Sequence, residues 1–450
     1  MLSILPVGYV AWAQQDSNLR TSDYESAALT AELWARHAKS YPEPQERQAH
    51  QSHYLPAVSI APPHSEPRPA PRIGVVVDWL AQSGGAELVV REILAAFPEA
   101  RLFALFDVMS SEDRARITDR PARTTFMQHI PGIRSRYRSL LPIMPTAIRT
   151  LDLSAMDVVI SCHHAVAKGV RVRPGQFHLC YCHSPMRYAW DRRDEYLADH
   201  AIRGLKAVVA RWLLERIRRW DLATVAGVDQ FVVNSRNVQE RVRRQYGRES
   251  VVIYPPVDID VFTPGGPREQ DLFVTASRQV PYKRVANIVR AFRALPGKRL
   301  VVIGEGPEHA RIIAAAEDAP NIEVRGEVPR SELRDWFRRS RAFVFAADED
   351  FGIVPLEAQA CGTPVIALGR GGALETVRGS EGPERTGLFF DDDSPATIGA
   401  AVERFVALET APTAAACRAQ AERFGADRFR AALRGSIAAG LSRQRTLHAQ

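Results

Sequence analysis

Residues 341–368 read RAFVFAADEDFGIVPLEAQACGTPVIAL. The apolar run Arg341–Ala346 predicts a strand buried on both faces, and Pro364–Leu368 predicts a second. Between them Gly352 allows a tight turn, and the segment after it predicts a helix. Strand, loop, helix and strand in that order make a parallel crossover unit. The start of such a helix presents unpaired N–H groups and the positive end of its dipole, a setting that favours phosphate. Glu349 lies in the loop and Glu357 stands eight residues on, inside the helix. Carboxylates accept pairs of sugar hydroxyls, so a phosphorylated polyol fits this stretch. A solvated acidic loop, with Glu357 capping the helix, is the other reading of the same residues.

The pattern repeats outward. Upstream, apolar runs at Ile73–Asp78, Arg101–Phe106, Asp157–Cys162, Phe177–Cys182, Gln230–Asn234 and Val251–Tyr254 alternate with helical stretches such as Ala86–Phe97. A second series runs through Leu272–Ser277, Arg299–Gly304, Asn321–Arg325, Arg341–Ala346 and Pro364–Leu368. One of its helices is Ser331–Ser340, with Leu333, Trp336 and Phe337 on one face. Alternation of this kind specifies an α/β fold with two doubly wound, Rossmann-like parallel sheets. The stiff segment Pro255-Pro256-Val257-Asp258 divides them. The expected division is 1–71 as an extension outside the fold, 72–256 and 257–410 as the two α/β domains, and 411–450 as a helical tail.

The first 71 residues differ from the rest. Eight prolines fall in the 33 residues 39–71, which removes helix and central strand there. Residues 15–34, QDSNLRTSDYESAALTAELW, resemble a translated transfer-RNA gene, so a disordered extension or a misplaced start is expected. Across the 450 residues, 59 Lys and Arg against 52 Asp and Glu leave a net charge of +7, which suits an anionic partner without choosing one. Five cysteines (162, 180, 182, 361 and 417) are too few for a disulfide scaffold. No apolar run is long enough to span a bilayer, and no basic residue precedes the apolar start. A cytoplasmic protein is expected.

Four further motifs carry chemistry. Ser277-Arg278-Gln279-Val280-Pro281-Tyr282-Lys283-Arg284 follows the second series' first strand, where open α/β sheets bind ligands; Arg278 and Lys283 suit a diphosphate. Gln82-Ser83-Gly84-Gly85-Ala86-Glu87 follows the first strand and lets backbone approach an anion closely. Gly304-Glu305-Gly306-Pro307-Glu308-His309 lacks the third glycine of a dinucleotide fingerprint, so no nicotinamide cofactor is expected. Cys180-Tyr181-Cys182-His183 ends a strand, and it reads as reduced core cysteines followed by a cleft histidine, the lack of a second ligand pair at metal spacing arguing against zinc. His163 and His164 read as polar residues at a strand end, the other reading being that they line the acceptor site. Residues 201–220 set Arg203, Lys206, Arg211, Arg216, Arg218 and Arg219 against Glu215 alone. The favoured reading is a core-packed helix with an arginine-rich solvated face, the other a helix resting on anionic lipid. No aromatics interleave a basic face, which argues against nucleic acid.

These motifs together resemble the retaining GT-B glycosyltransferases of family 4. The resemblance lies in GGAE at 84–87, Arg278 with Lys283, and Glu349 with Glu357 inside EDFGIVPLEAQACGTPVIA. The phrases YCHSPMRYAWD, FVVNSRNVQERVRRQYGR, YPPVD and GRGGALETV resemble the bacterial branch containing O-antigen mannosyltransferases that use GDP-mannose. It covers about residues 72–440. It implies two domains facing across a cleft, with a C-terminal helix returning to the first. It implies that Arg278 and Lys283 hold the donor diphosphate, that Glu357 bonds the ribose and that Glu349 holds the transferred sugar. The N–H groups of Phe351, Gly352, Ile353 and Val354 would meet the sugar and β-phosphate, with Gly84 and Gly85 closing from the other domain. The residues acting on the reacting centre would be Glu349, His183, Arg278 and Lys283. Residues 371–373 would border the pocket, and the base would rest near 326–328. Arg187, Tyr188 and Asp191 would lie on the acceptor side. Asp350, where the family often has glycine, reads as a mark of the branch. No metal or other cofactor is implied, and neither Asp348-x-Asp350 nor 391–393 is assigned to one. The expected partners are GDP-mannose and a lipid-linked or saccharide acceptor of cell-surface polysaccharide synthesis, with peripheral contact at the inner membrane face open to it. The rival readings are a nucleotide-sugar epimerase of the same fold and a non-catalytic basic protein binding lipid or nucleic acid.

Overall fold

The computed structural model describes residues 70–81, 84–187, 189–190 and 204–448. The expected extension 1–71 lies almost wholly outside the described residues. Two parallel sheets carry the remainder. The first contains β1 (Ile73–Val77), β2 (Arg101–Ala104), β3 (Arg123–Thr124), β4 (Val158–His163), β5 (Phe177–Cys182), β6 (Gln230–Val233) and β7 (Ser250–Val252), in the order β3-β2-β1-β4-β5-β6-β7. The second contains β8 (Leu272–Ala276), β9 (Arg299–Ile303), β10 (Ile322–Val324), β11 (Ala342–Phe345), β12 (Val365–Leu368) and β13 (Gly387–Phe390), in the order β10-β9-β8-β11-β12-β13. In both sheets the order reverses beside the first strand, at the β1–β4 and β8–β11 neighbours. Such switch points leave crevices at the carboxyl ends of strands.

The continuous apolar runs follow from burial on both faces. Every residue of β1, β4, β5, β8 and β11 is buried. Odd and even positions feed different layers. Val75 and Val77 pack with Val89 and Ile93 of the Gly85–Ala96 helix, whereas Val76 packs with Phe103 and Met156 on the opposite face. In the second sheet Val344 joins Phe292 and Ile398 on one side, while Phe343 and Phe345 join Trp336 and Phe337 on the other. Fully burying one such side chain contributes about 1.5–3 kcal/mol.

The chain crosses between the halves twice. Val257 N–H donates to the Phe424 carbonyl at 2.8 Å, so the proline linker is held beside the returning strand of chain. The Ala414–Glu422 helix packs on the Ile353–Ala360 helix of the second half. The Ala426–His448 helix returns to the first half, where Phe429, Leu433 and Ile437 pack with Val75, Ile93 and Tyr181. The two sheets and this return are the expected two-domain α/β architecture.

A buried ion pair anchors the Leu205–Ala223 helix. Lys168 Nζ meets the Asp221 carboxylate, and neither side chain is exposed. Asp221 also accepts Trp190 Nε1 at 2.9 Å and the Tyr246 hydroxyl at 2.8 Å. Leu214 and Ile217 bury the inner face of that helix, while Val208, Val209 and Trp212 stay exposed beside Arg211, Arg216 and Arg219. The core-packed reading therefore describes its inner face, and an apolar and basic outer face remains. Arg203 lies outside the described residues. Among the described residues no helix is long and apolar enough to cross a membrane.

Candidate functional site

Residues 341–368 fold as β11, a loop, the Ile353–Ala360 helix and β12. Gly352 starts the helix at φ 85, a left-handed conformation open to glycine at no steric cost, and among the described residues no side chain caps that start. Its first-turn N–H groups are thus left to a ligand or water. Glu349, in the loop, is bonded to Lys283 Nζ, which comes from the short turn after β8. Both side chains are largely buried, at 10% exposed for Lys283 and 20% for Glu349. The Lys283 ammonium also lies 5.8 Å from the Phe345 ring centre. Two residues 66 positions apart thus meet, one chosen for phosphate and one for sugar.

Arg278 sits on the same loop as Lys283 but is exposed, and among the described residues its side chain makes no hydrogen bond or ion pair. The loop is supported from below by the GEGPEH segment. A Cβ on Gly304 would stand 2.1 Å from the Ser277 carbonyl, and one on Gly306 2.3 Å from that of Gln279. Gln279 N–H donates to the Glu305 carbonyl at 2.7 Å, and His309 Nδ1 bonds Gln279 Oε1 at 2.7 Å. Those glycines serve close packing of two backbones, and His309, in place of a third glycine, fixes the loop's glutamine. At the expected base site, the Glu305 carboxylate lies over Gly326, 2.6 Å from where its Cβ would be.

Glu357 is buried and accepts no side-chain hydrogen bond among the described residues. Burial pushes its carboxyl up to about 7, with Asp258 adding and Arg330 opposing. Arg330 Nη2 lies 3.6 Å from it and is itself a buried donor without a hydrogen-bond partner. Arg330 is held by Asp258 at 2.8 Å, and Asp258 also pairs with Arg91 of the first domain at 3.4 Å. An acceptor and a donor left incomplete side by side form a place for a hydroxyl-bearing group. Neither Arg330 nor Asp258 was singled out by the sequence for this place.

A carboxyl raised in the folded state contributes stability below its ordinary range, and that contribution is lost as pH rises through its folded value. Glu357→Gln should therefore gain thermal stability relative to the parent on going from pH 5 to pH 8. An unfolding-midpoint difference that stays constant over that interval would show that Glu357 titrates as an ordinary carboxylate.

The first domain brings its own predicted residues to this edge. Gly84 precedes the Gly85–Ala96 helix, and a Cβ on Gly85 would stand 3.0 Å from Ile353 Cδ1. The glycine turn of one domain thus abuts the helix start of the other. Gln82 and Ser83 lie outside the described residues. Phe351 is a packing residue, stacked on Tyr254 with ring centres 5.7 Å apart and in contact with Phe424. Ile353 and Val354 are half-buried. Gly372 N–H donates to the Glu349 carbonyl at 2.8 Å, so the 371–373 turn does border the loop.

His183 follows β5. Its Nε2 is buried without a partner, and burial together with His164 holds the ring down at about 3, hence neutral. His164 is the reverse. Burial opposes its protonation, but Asp78 at 2.9 Å raises it. Asp78 also accepts the N–H groups of His164, Ala165, Val166 and Ala167. The two strand-end histidines thus have structural partners: His163 lies 3.7 Å from Asp221. Arg187 lies 3.8 Å from Asp350, while Tyr188 and Asp191 lie outside the described residues. All five cysteines are buried free thiols. Among the described residues no cluster of histidine, cysteine and carboxylates could hold a metal. Asp350 pairs with Arg241, and Asp392 and Asp393 bond Ser394 and Arg284.

Residues 83–261 match the model for Glycosyltransferase Family 4, and 258–424 that for glycosyl transferases group 1. The chain is 31% identical over 239 residues to D-inositol 3-phosphate glycosyltransferase of Xylanimonas cellulosilytica, covering 46% of this chain and 56% of the relative. It is 28% identical over 250 residues to the protein of that name from Mycobacteroides abscessus, covering 48% and 55%. The chain spans about half the length of these curated relatives. Among solved structures, Anabaena HepE in complex with UDP and glucose superposes with TM-score 0.60 at 15% identity, over 82% of this chain and 100% of that one. Sucrose-phosphate synthase of Thermosynechococcus elongatus gives 0.58 at 17% identity, over 85% and 100%. At such identities the likeness speaks for the fold. The fold is GT-B, and the chain carries a Glycosyltransferase Family 4 domain followed by a glycosyl transferases group 1 domain.

Proposed function

We propose that the protein is a glycosyltransferase that moves a sugar from a nucleotide-sugar donor to an acceptor held by the first domain. The observation that carries the reading is the contact of Lys283 with Glu349 beside an uncapped helix start. It puts a phosphate-binding cation and a hydroxyl-binding anion in one place, on the loop of the matched group 1 domain. On this reading Arg278, Lys283 and the N–H groups of 351–354 take the diphosphate. Glu349 takes the sugar, and Glu357 with Arg330 takes the ribose.

The difficult step is cleavage of the glycosyl–phosphate bond. Positive charge builds on the sugar ring while negative charge builds on the leaving diphosphate. Lys283, Arg278 and the helix start are aimed at the second of these, where preorganised charge acts most strongly. His183, kept neutral, can accept a hydrogen bond from the sugar without adding charge beside the cationic ring. We assign no metal to the leaving group, because the side chains supply its countercharge. EDTA should leave the rate unchanged, and loss of activity restored by manganese would overturn this assignment. The anomeric configuration is proposed to be retained, as in the family the motifs resemble.

GDP-mannose is the first donor to test, on the branch resemblance. UDP-glucose stands second because a structural neighbour was solved with UDP and glucose. A panel of GDP- and UDP-sugars should raise the melting temperature for the true donor by mass action. No shift with any of them would remove the reading. The acceptor is proposed to be lipid-linked or a saccharide, with the Trp212 face of the Leu205–Ala223 helix meeting the lipid. Vesicles containing anionic phospholipid should sediment the protein, and the pair Trp212→Ala and Arg216→Ala should leave it in the supernatant. Equal sedimentation of the parent and that variant would contradict lipid contact at this face.

A further inference from the structure

Two carboxylates of the second domain cross to the first and land on one helix. Glu375, in the turn Ala373–Thr376, accepts the N–H of Arg236 at 2.9 Å and of Asn237 at 3.1 Å, and the Tyr254 hydroxyl at 3.0 Å. Arg236 and Asn237 are the first residues of the Arg236–Tyr246 helix, whose Ser235 hydroxyl takes the Val238 N–H. The local sequence thus satisfies part of this helix start, and an acid from the other domain completes it, at the positive end of the dipole.

Asp350 grips the same helix one turn on. It accepts Arg241 Nη1 at 2.6 Å and Asn237 Nδ2 at 3.3 Å, and it lies 3.8 Å from Arg187. The Arg241 and Asp350 side chains are only 11% and 13% exposed, so this charge-assisted contact is screened little by salt. Arg241 also donates to the Ser184 hydroxyl at 2.9 Å, and Asn234 Nδ2 donates to the His183 carbonyl at 2.9 Å. On the other side both acids are tied to Glu349. Asp350 is its covalent neighbour, and the Glu375 turn is bonded to the Glu349 carbonyl through Gly372 N–H.

We propose that Asp350 and Glu375 form a clasp holding the two domains closed, and that Asp350 is a positioning residue that sets Glu349 against the His183–Arg187 loop. Its mechanical part stands on the contacts alone, and its chemical consequence rests on the glycosyltransfer reading. The clasp leaves the nucleotide contacts of the second domain untouched. It governs whether residues of the two domains meet around the sugar.

The test compares the full chain with Asp350→Asn, Glu375→Gln and the exchange Asp350→Arg with Arg241→Asp. Solution scattering should show a larger radius of gyration for each single variant than for the parent, and partial recovery in the exchange. With donor, kcat should fall about 10- to 100-fold, the scale on which loss of close positioning acts. GDP and UDP affinity by calorimetry should stay near that of the parent. Unchanged scattering in both single variants overturns the clasp. Nucleotide affinity falling in step with kcat overturns the positioning role. If the parent binds neither GDP nor UDP, the glycosyltransfer reading fails, and the clasp is then decided by scattering alone.

Discussion

Lys283→Ala is expected to lower the rate of donor turnover about 10²- to 10³-fold, or about 2–4 kcal/mol of transition-state stabilisation, by analogy with loss of one oxyanion donor. The lysine is held largely buried against Glu349, and Phe345 lies near it. Its charge therefore acts through little water. In the free protein Glu349 neutralises that charge. A donor that inserts its diphosphate at Lys283 and its sugar hydroxyls at Glu349 replaces one favourable pair by two. For that reason Glu349→Gln and Lys283→Ala should not add. Each leaves the other without its partner, and the double variant should be close to the worse single one. Nucleoside diphosphate release, followed with and without saccharide acceptors, measures this. Full additivity, or a change confined to KM, would separate the two residues.

Asp221→Ala is expected to cost about 3–5 kcal/mol of folding stability, the usual result of stripping a buried charge of its partner. It leaves the Lys168 ammonium fully buried with no countercharge, facing a carbonyl, the Thr224 hydroxyl and the rings of Tyr246 and Trp220. It also removes the acceptor of Trp190 and Tyr246. Replacing the pair together, Lys168→Met with Asp221→Leu, should recover much of the loss, because no unpaired charge then remains. Denaturant unfolding reads both variants. A loss below about 1 kcal/mol in the single variant would place the pair with ordinary exposed ones.

The parallel sheets were legible because burial on both faces leaves unbroken apolar runs. Phe177–Cys182 was read at its observed bounds, and β8, β9 and β11 lie within a residue or two of theirs. Two edge strands escaped. Arg123–Thr124 has too few residues to make a run, and Gly387–Phe390 opens on a glycine whose space the Val365 carbonyl fills. Edges are half-solvated and carry less hydrophobic pattern. At the site, Lys283 and Glu349 were legible because each sits at a strand end with its own chemistry. Arg330 and Asp258, 72 residues apart, were not. Asp350 is legible only as a mark of the family branch, and Glu375 as one letter of a motif. Their partners are 109 and 139 residues away on another domain, and nothing local marks such a pairing.

A crystal structure with a bound nucleoside diphosphate decides whether Lys283, Glu349 and the start of the Ile353–Ala360 helix form the donor site. Phosphate oxygens are expected on Lys283 and Arg278, at the start of the Ile353–Ala360 helix, with the ribose on Glu357 and Arg330. Nucleotide bound elsewhere on the molecule, with the Lys283–Glu349 pair left as it is, would contradict that placement.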